Sequence, residues 1–454
     1  MDLLSGSRNL LRSLLQKWFG PFTKDELKKY ILLGIVFAFI IGTYWTLKPL
    51  KEAIFGSIVG SGSWLARVKI VSVLFLLPLV AIYGKLIERF ARDRMFYLMG
   101  FVFAFFMVVW GIFFALPEFG LSNTVASPWR ISGWLWYVFV ESFGSLMVAL
   151  FWAFMTDISD PKSAKYGFPL VVLIGQIGGI LGPRFLSRIP LILGTNNAPL
   201  IAFCSLLVLS MMLLIFIFMK VTPAYLLEGF EEVKKKQKRK KSPGFFNGLK
   251  LLLDHKYLLG IFAVLAFFEI ISTFIEFNFQ VAVMNIFTSD VSRSIYLSNW
   301  GSTVNLVTFL CLFFGINNIQ RWLGIRFALV LVPFLLFLTV FAFKYSAHVD
   351  VLFWLMVVAK SINYALNGPT LKQLYVPTTK DVKYKSQAWI ETFGSRGAKA
   401  SSSGLNAFRE FIGVSAYFAM AIYLSFGLLF GWLFIALFLG KKYNEAISSN
   451  EVVC

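Results

Sequence analysis

Cysteine and histidine are nearly missing from this chain. Its 454 residues include three cysteines (Cys204, Cys311, Cys454) and two histidines (His255, His348), all far apart. A structural zinc site needs four such ligands at short spacings, so the sequence argues against a zinc or haem centre. No metal and no cofactor is expected. Charge is scarce as well. Asp, Glu, Lys and Arg make up 15% of the chain, against about 25% in a soluble domain. Also missing are a Gly-rich phosphate loop of the Walker kind, a His-Glu-x-x-His pair and a nucleophile elbow. Their absence argues against an ATPase or hydrolase site, and the chain reads as something other than an enzyme.

What is there in excess is apolar surface. Hydrophobic residues make up 58%, with 51 Phe and 13 Trp. Large aromatics suit lipid-facing helices and interfacial belts. A spanning helix needs about 20 mostly apolar residues. Twelve runs qualify, near 30–48, 66–86, 95–116, 131–156, 166–187, 199–220, 257–282, 295–317, 325–344, 350–369, 389–413 and 416–440. The eleventh is the weakest, being interrupted by Arg396, Lys399, Arg409 and Glu410. Residues 1–29 are basic and mixed, and the first apolar run is long enough to span, so no cleavable signal peptide is expected.

Lys and Arg number 43 against 23 Asp and Glu, a net charge of +20. In a soluble protein this points to nucleic acid. Here the excess sits in short loops between apolar runs, which fits the positive-inside rule and a lipid bilayer, with no nucleic-acid partner. Residues 84–94, 162–165, 321–326, 372–385 and Lys441-Lys442 are basic; the alternate loops 117–129 and 345–350 are not. Both termini are therefore expected on the cytoplasmic side.

A charge block from Glu228 to Ser242-Pro243-Gly244 splits the runs six and six. Phe245, Phe246, Leu249 and Leu252 then predict a short amphipathic helix on the membrane surface. The expected organisation is a cytoplasmic segment 1–29, a six-helix half 30–220, a basic linker 221–256, a second half 257–440 and a tail 441–454. This is an all-α membrane protein with a pseudo-symmetric, major-facilitator-like bundle. Weak echoes between halves agree. The basic loop after the second run has a counterpart at Asn317 to Arg326. The glycines of the fifth run (Gly175, Gly178, Gly179, Gly182) have one in Gly394, Gly397 and Gly404. The fifth-run glycines read as packing before binding.

Ionisable residues inside apolar runs cost roughly 2.5–3.5 kcal/mol each at a helix centre, so they face a cavity or a partner. They are Lys51, Lys69, Glu141, Asp157, Glu269, Glu276, Lys360, Lys399, Arg409 and Glu410. Lys51 and Glu52 close the first run after Lys48-Pro49-Leu50. Lys51 reads either as snorkelling to the interface or as a cation lining a cavity, and Lys69 allows the same two readings. Glu141 lies too deep to snorkel, leaving a functional role or a structural salt bridge. Glu276, followed by Asn278 and Gln280, reads similarly, with Glu269 as the alternative on that run. Arg396 and Lys399 begin the eleventh run at a spacing that shares one face. A helix N-terminus with two cations favours phosphate; the competing reading is a pair of loop cations.

At these residues the chain resembles the bacterial and plastid ATP/ADP translocase family. Glu141-Ser142-Phe143-Gly144-Ser145 with Phe151-Trp152-Ala153-Phe154 is similar to the family's Glu-Leu-Trp-Gly-Ser and Phe-Trp-Gly-Phe. Lys372…Tyr375-Val376-Pro377…Lys383…Lys385 followed by Gly394-Ser395-Arg396-Gly397-Ala398-Lys399 resembles its Lys…Tyr-Ile-Pro…Lys…Lys and Gly-Gly-Arg-Leu-Gly-Lys. Residues 47–52 and Val68-Lys69 resemble its Leu-Lys-Asp and Leu-Lys runs. The family's Trp-Lys after the helix-seven glutamate stands here as Phe279-Gln280.

The resemblance implies a major-facilitator-like carrier of the bacterial inner membrane whose partner is a transported nucleotide, exchanged as ATP for ADP by alternating access. It puts the functional charges on Lys69, Glu141, Glu276 and Lys399, with Lys51 and Arg396 beside them. The four cations would compensate phosphates, and Glu141 and Glu276 would hold them in the empty carrier. Trp45 or Tyr137 would stack a base, with Asp157, Asn278 and Gln280 as further polar positions. Two alternatives stay open: proton-coupled symport of a nucleotide or other anionic metabolite, and a non-transporting membrane scaffold or lipid-handling protein.

Overall fold

A computed structural model describes residues 22–60, 62–90, 92–159, 161–227, 245–314, 317–345, 348–375, 377–378, 386–449 and 453. Every regular element among them is helical. In lipid the backbone has only itself to bond, and a helix satisfies each amide within its own segment. The long helices, in chain order, are α1 Lys24–Ile58, α2 Ser63–Arg89, α3 Arg92–Ala115, α4 Ile131–Asp157, α5 Pro161–Leu181 and α6 Ala198–Val221. There follow α7 Lys256–Ile286, α8 Asp290–Phe313, α9 Asn317–Tyr345, α10 Val349–Ile362, α11 Ser395–Ala407 and α12 Val414–Ser449.

Among the described residues ten helices are long and apolar enough to cross a membrane by length and composition. α8 and α11 are the two that fall short. They occupy the places of the eighth and eleventh apolar runs. α8 turns Ser294, Ser298, Ser302, Asn305 and Thr308 inward, and Asn305 and Thr308 satisfy themselves by donating to carbonyls one turn back. α11 is built of Gly, Ser and Ala and buries Ser402, Ser403 and Asn406. The expected amphipathic segment is a helix, Phe245–Asp254, with Leu252 buried and Leu253 exposed. The Lys234–Lys241 cations, Lys383 and Lys385 lie outside the described residues.

The chain falls into two compact units. The first comprises Met1–Lys51, Leu77–Asn123 and Phe139–Lys238. Here α3 lies along α6 and buries Phe96, Phe103, Met107 and Phe114, while Phe101, Phe105 and Ile112 stay exposed. An exposed aromatic stripe of this kind is what lipid contact allows. α1 and α5 meet backbone to backbone. A Cβ on Gly178 would come within 1.9 Å of the Ala38 carbonyl oxygen, and one on Gly182 within 2.6 Å of that of Gly42. These glycines therefore serve packing. Lys29 is buried at the start of α1 and donates to the carbonyls of Ile158 and, at 2.8 Å, of Leu226. Its charge thus complements the carbonyl end of α4.

The second unit comprises Glu52–Leu76, Thr124–Val138 and Arg239–Cys454. α7 is its centre, in contact with α8, α10, α11 and α12, and α9 packs along α12. Gly324 and Gly413 take φ of 81° with extended ψ, a conformation open to glycine and costly for other residues. Gly413 separates the end of the α11 segment from α12.

Candidate functional site

α1 does not close at Lys51-Glu52, as the apolar run suggested. It continues to Ile58, so both charges lie inside the helix. Neither snorkels, because each has a partner on α4. In the first unit Lys51, 4% exposed at its side chain, forms an ion pair with Glu141 of α4, itself 28% exposed. In the second unit the Tyr137 hydroxyl donates to Glu52 Oε1 at 3.1 Å. Two neighbouring positions on α1 thus carry opposite charges, each answered by the helix Ile131–Asp157.

Lys69, Lys360 and Lys399 meet α7 in the second unit. Lys399 Nζ of α11 lies 3.4 Å from Glu269 Oε1, which also accepts from the Ser395 hydroxyl at 2.7 Å. Lys360 Nζ of α10 lies 2.8 Å from Glu276 Oε2. Lys69 of α2 donates to Gln280 Oε1 at 2.8 Å, and the Gln280 amide approaches Glu276 Oε1 at 3.5 Å. Positions 269, 276 and 280 share a face of one helix, and 269 and 276 are two turns apart, about 10 Å along the axis. Three lysines from α2, α10 and α11 therefore meet one polar stripe on α7.

Two of these residues carried no assigned role in the sequence reading. Lys360 stood only among the intramembrane charges, and Glu269 only as an alternative to Glu276. The signal for both was a charge deep in an apolar run. What sequence could not supply is the pairing, since Glu276 and Lys360 come from different helices.

Arg396 and Lys399 do not begin a helix. The chain is already helical from Gln387 to Trp389, passes through a π-turn Ile390–Gly394, and runs on into α11. The amides before Lys399 are engaged in that continuous ladder, so the expected anion site at a helix N-terminus is not formed there. Asn278 points elsewhere than the stripe, donating to the Phe274 carbonyl and to the Tyr417 hydroxyl. Trp45 is buried, with the Lys48 ammonium 4.7 Å from its ring centroid. Tyr137 is also buried, edge-on to Phe55 at 5.5 Å. Neither ring offers an open face for a base. The Asp157 side chain is outside the described residues.

Acid-paired lysines on apolar helices suit a carrier of anions, and the comparisons with known proteins narrow the class. The profile of the TLC ATP/ADP transporter family matches residues 7–351. The chain belongs to that family. Relatives in it include ADP,ATP carrier protein 4 of Rickettsia bellii (strain RML369-C), 23% identical over 99% of this chain and 97% of that protein. ADP,ATP carrier protein 1 of Rickettsia typhi (strain ATCC VR-144 / Wilmington) is 22% identical over 98% and 99%. Among solved structures, the nucleoside transporter NupG aligns with a TM-score of 0.61 at 13% identity, over 90% of this chain and 99% of that one. A D-xylose–proton symporter aligns at 0.56 and 14%, over 90% and 96%. These two establish the transporter fold of this TLC-family chain. It is a multi-span membrane transporter rather than an enzyme.

Proposed function

We propose that this chain exchanges nucleotides of the ATP/ADP type across a bacterial inner membrane by alternating access. The observation that carries the proposal is that Lys51, Lys360 and Lys399 are each set against a glutamate on helices of a TLC ATP/ADP transporter. A buried lysine such as Lys51 or Lys360 is costly without a counter-charge, Lys399 is half exposed, and a phosphate is the natural competitor for each carboxylate. In this reading the empty carrier keeps Lys51 on Glu141, Lys360 on Glu276 and Lys399 on Glu269, and substrate phosphates displace those acids. Lys69 and Arg396 complete the cationic set.

The halves that move are 30–220 and 257–440, joined by the linker 221–256. Their basic loops support a cytoplasmic placement of both termini, with segments 1–29 and 441–454 on that side.

The test is counter-exchange in liposomes. Vesicles loaded with ADP and containing the purified chain should take up radiolabelled ATP, and Lys69→Ala and Lys399→Ala should each suppress it. Uptake driven by a pH gradient into vesicles holding no nucleotide would replace exchange with symport. Full exchange by both variants would remove these lysines from the site.

A further inference from the structure

A small pocket opens in the second unit beside Glu269. Its volume is about 140 Å³, well below the roughly 300–1,000 Å³ of a site that encloses a whole small molecule. It has room for a fragment of a ligand. α7 supplies one wall with Leu265, Phe268 and Glu269, and Asn363, Asn367 and Tyr375 line it from the chain that continues α10.

Three features separate this pocket from an ordinary packing gap. First, Tyr375 is 3% exposed, and its hydroxyl is buried with no hydrogen-bond partner among the described residues. Orphaned buried donors are rare and call for a reason. Burial and then the Glu391 carboxylate push the phenol up, so it stays protonated and a donor at neutral pH. Second, Asn363 and Asn367 sit on a π-turn, Asn363–Asn367, and Glu391, also on the pocket wall, sits on another, Ile390–Gly394. Such turns break the helical register and recur at functional sites. Third, the wall carries two carboxylates, Glu269 and Glu391, against one lysine, Lys372, so its charge favours an uncharged group over a phosphate. An uncharged flat group with donors and acceptors along its edge is what two amides, a phenol and an aromatic wall accept.

We infer that this pocket takes the nucleobase of the transported nucleotide. The inference rests on the nucleotide-exchange reading above. Glu269 links the two ends of the ligand: it lines the pocket, and it holds Lys399 at 3.4 Å. A nucleotide whose phosphates draw Lys399 away therefore has its base end within reach of the pocket, and the released Glu269 gains acceptor capacity toward it.

The experiment compares competitors of labelled-ATP exchange in ADP-loaded liposomes: ATP, GTP, CTP, UTP and inorganic tripolyphosphate. The wild-type chain should prefer one base over the others. Tyr375→Phe and Asn367→Leu should each weaken that preference about tenfold, the size of one lost hydrogen bond, while tripolyphosphate competes as well as before. Tyr375→Phe should also leave thermal stability unchanged or raised, since it removes an orphaned group. Variants with the original base preference, variants that lose tripolyphosphate competition equally, or a wild-type chain indifferent to the base would each overturn the inference. A wild-type chain that exchanges no nucleotide sinks the underlying functional reading instead.

Discussion

Lys69 of α2 donates to the side-chain carbonyl of Gln280 on α7 across 2.8 Å. A neutral acceptor holds this lysine where a carboxylate holds Lys51, Lys360 and Lys399. Gln280 accepts a hydrogen bond from the ammonium and brings no charge of its own. Gln280→Glu should set a carboxylate against Lys69 and crowd Glu276. The expected result is a rise in the apparent KM for ATP on the order of tenfold or more, with the protein still folded. An unchanged KM in the exchange assay would separate Lys69 from the substrate.

The Lys51–Glu141 pair gives a prediction about stability. Removing one member of a fully buried pair costs about 3–5 kcal/mol, so with Glu141 partly exposed the loss here should be smaller, and removing both should be less damaging still. Glu141→Gln should therefore lower the thermal midpoint of the purified chain more than the double variant Lys51→Met/Glu141→Gln does. A double-mutant cycle by thermal unfolding measures the coupling. A double variant no better than the single one would show that the pair is not a closed unit.

The exposed pair of the second unit should behave differently. Arg67 lies 3.2 Å from Glu410, with side chains 38% and 49% exposed, and the Ser63 hydroxyl donates to the same carboxylate. Surface pairs contribute little, about 0–1 kcal/mol. Glu410→Gln should shift stability by no more than that, and raised salt should erase the difference.

The glycines of α5 and α11 should respond oppositely to one added methyl group. Gly178→Ala would drive a Cβ into the Ala38 carbonyl, and overpacking of this kind costs about 1–3 kcal/mol. At Gly397 nothing among the described residues lies within 4 Å of the new atom, its own helix's backbone aside. Gly397→Ala should be neutral or stabilising through the unfolded chain. Thermal unfolding of the two variants decides it, and equal losses would contradict the α1–α5 contact.

The placement of helices follows from the length of apolar runs because lipid leaves the backbone no other partner. The runs 199–220 and 325–344 sit within a residue or two of Ala198–Val221 and of the part of Asn317–Tyr345 beyond Gly324. Ends are less legible. α1 starts at Lys24, where Thr23 and Glu26 form a reciprocal capping box. That Thr-x-x-Glu signature stands in the sequence, masked by the basic residues around it. The other end extends past Lys51-Glu52 because charges read as a terminus only when their partners are unseen. Glu141 and Tyr137 are those partners, and they are tertiary facts. The π-turns at Asn363–Asn367 and Ile390–Gly394 left no periodic trace. They carry the eleventh segment through Arg396 without a break and line the pocket at Tyr375.

In the exchange proposed above, the glutamates that hold Lys51, Lys360 and Lys399 would also limit how tightly the cargo is gripped. Each lysine–phosphate bond contributes only its difference from the lysine–carboxylate bond it replaces. The cargo is therefore held loosely enough to leave quickly, and residence time rather than chemistry becomes the quantity the three acids tune. A carrier works by letting go, and in this chain the means of release are already in place before the substrate arrives.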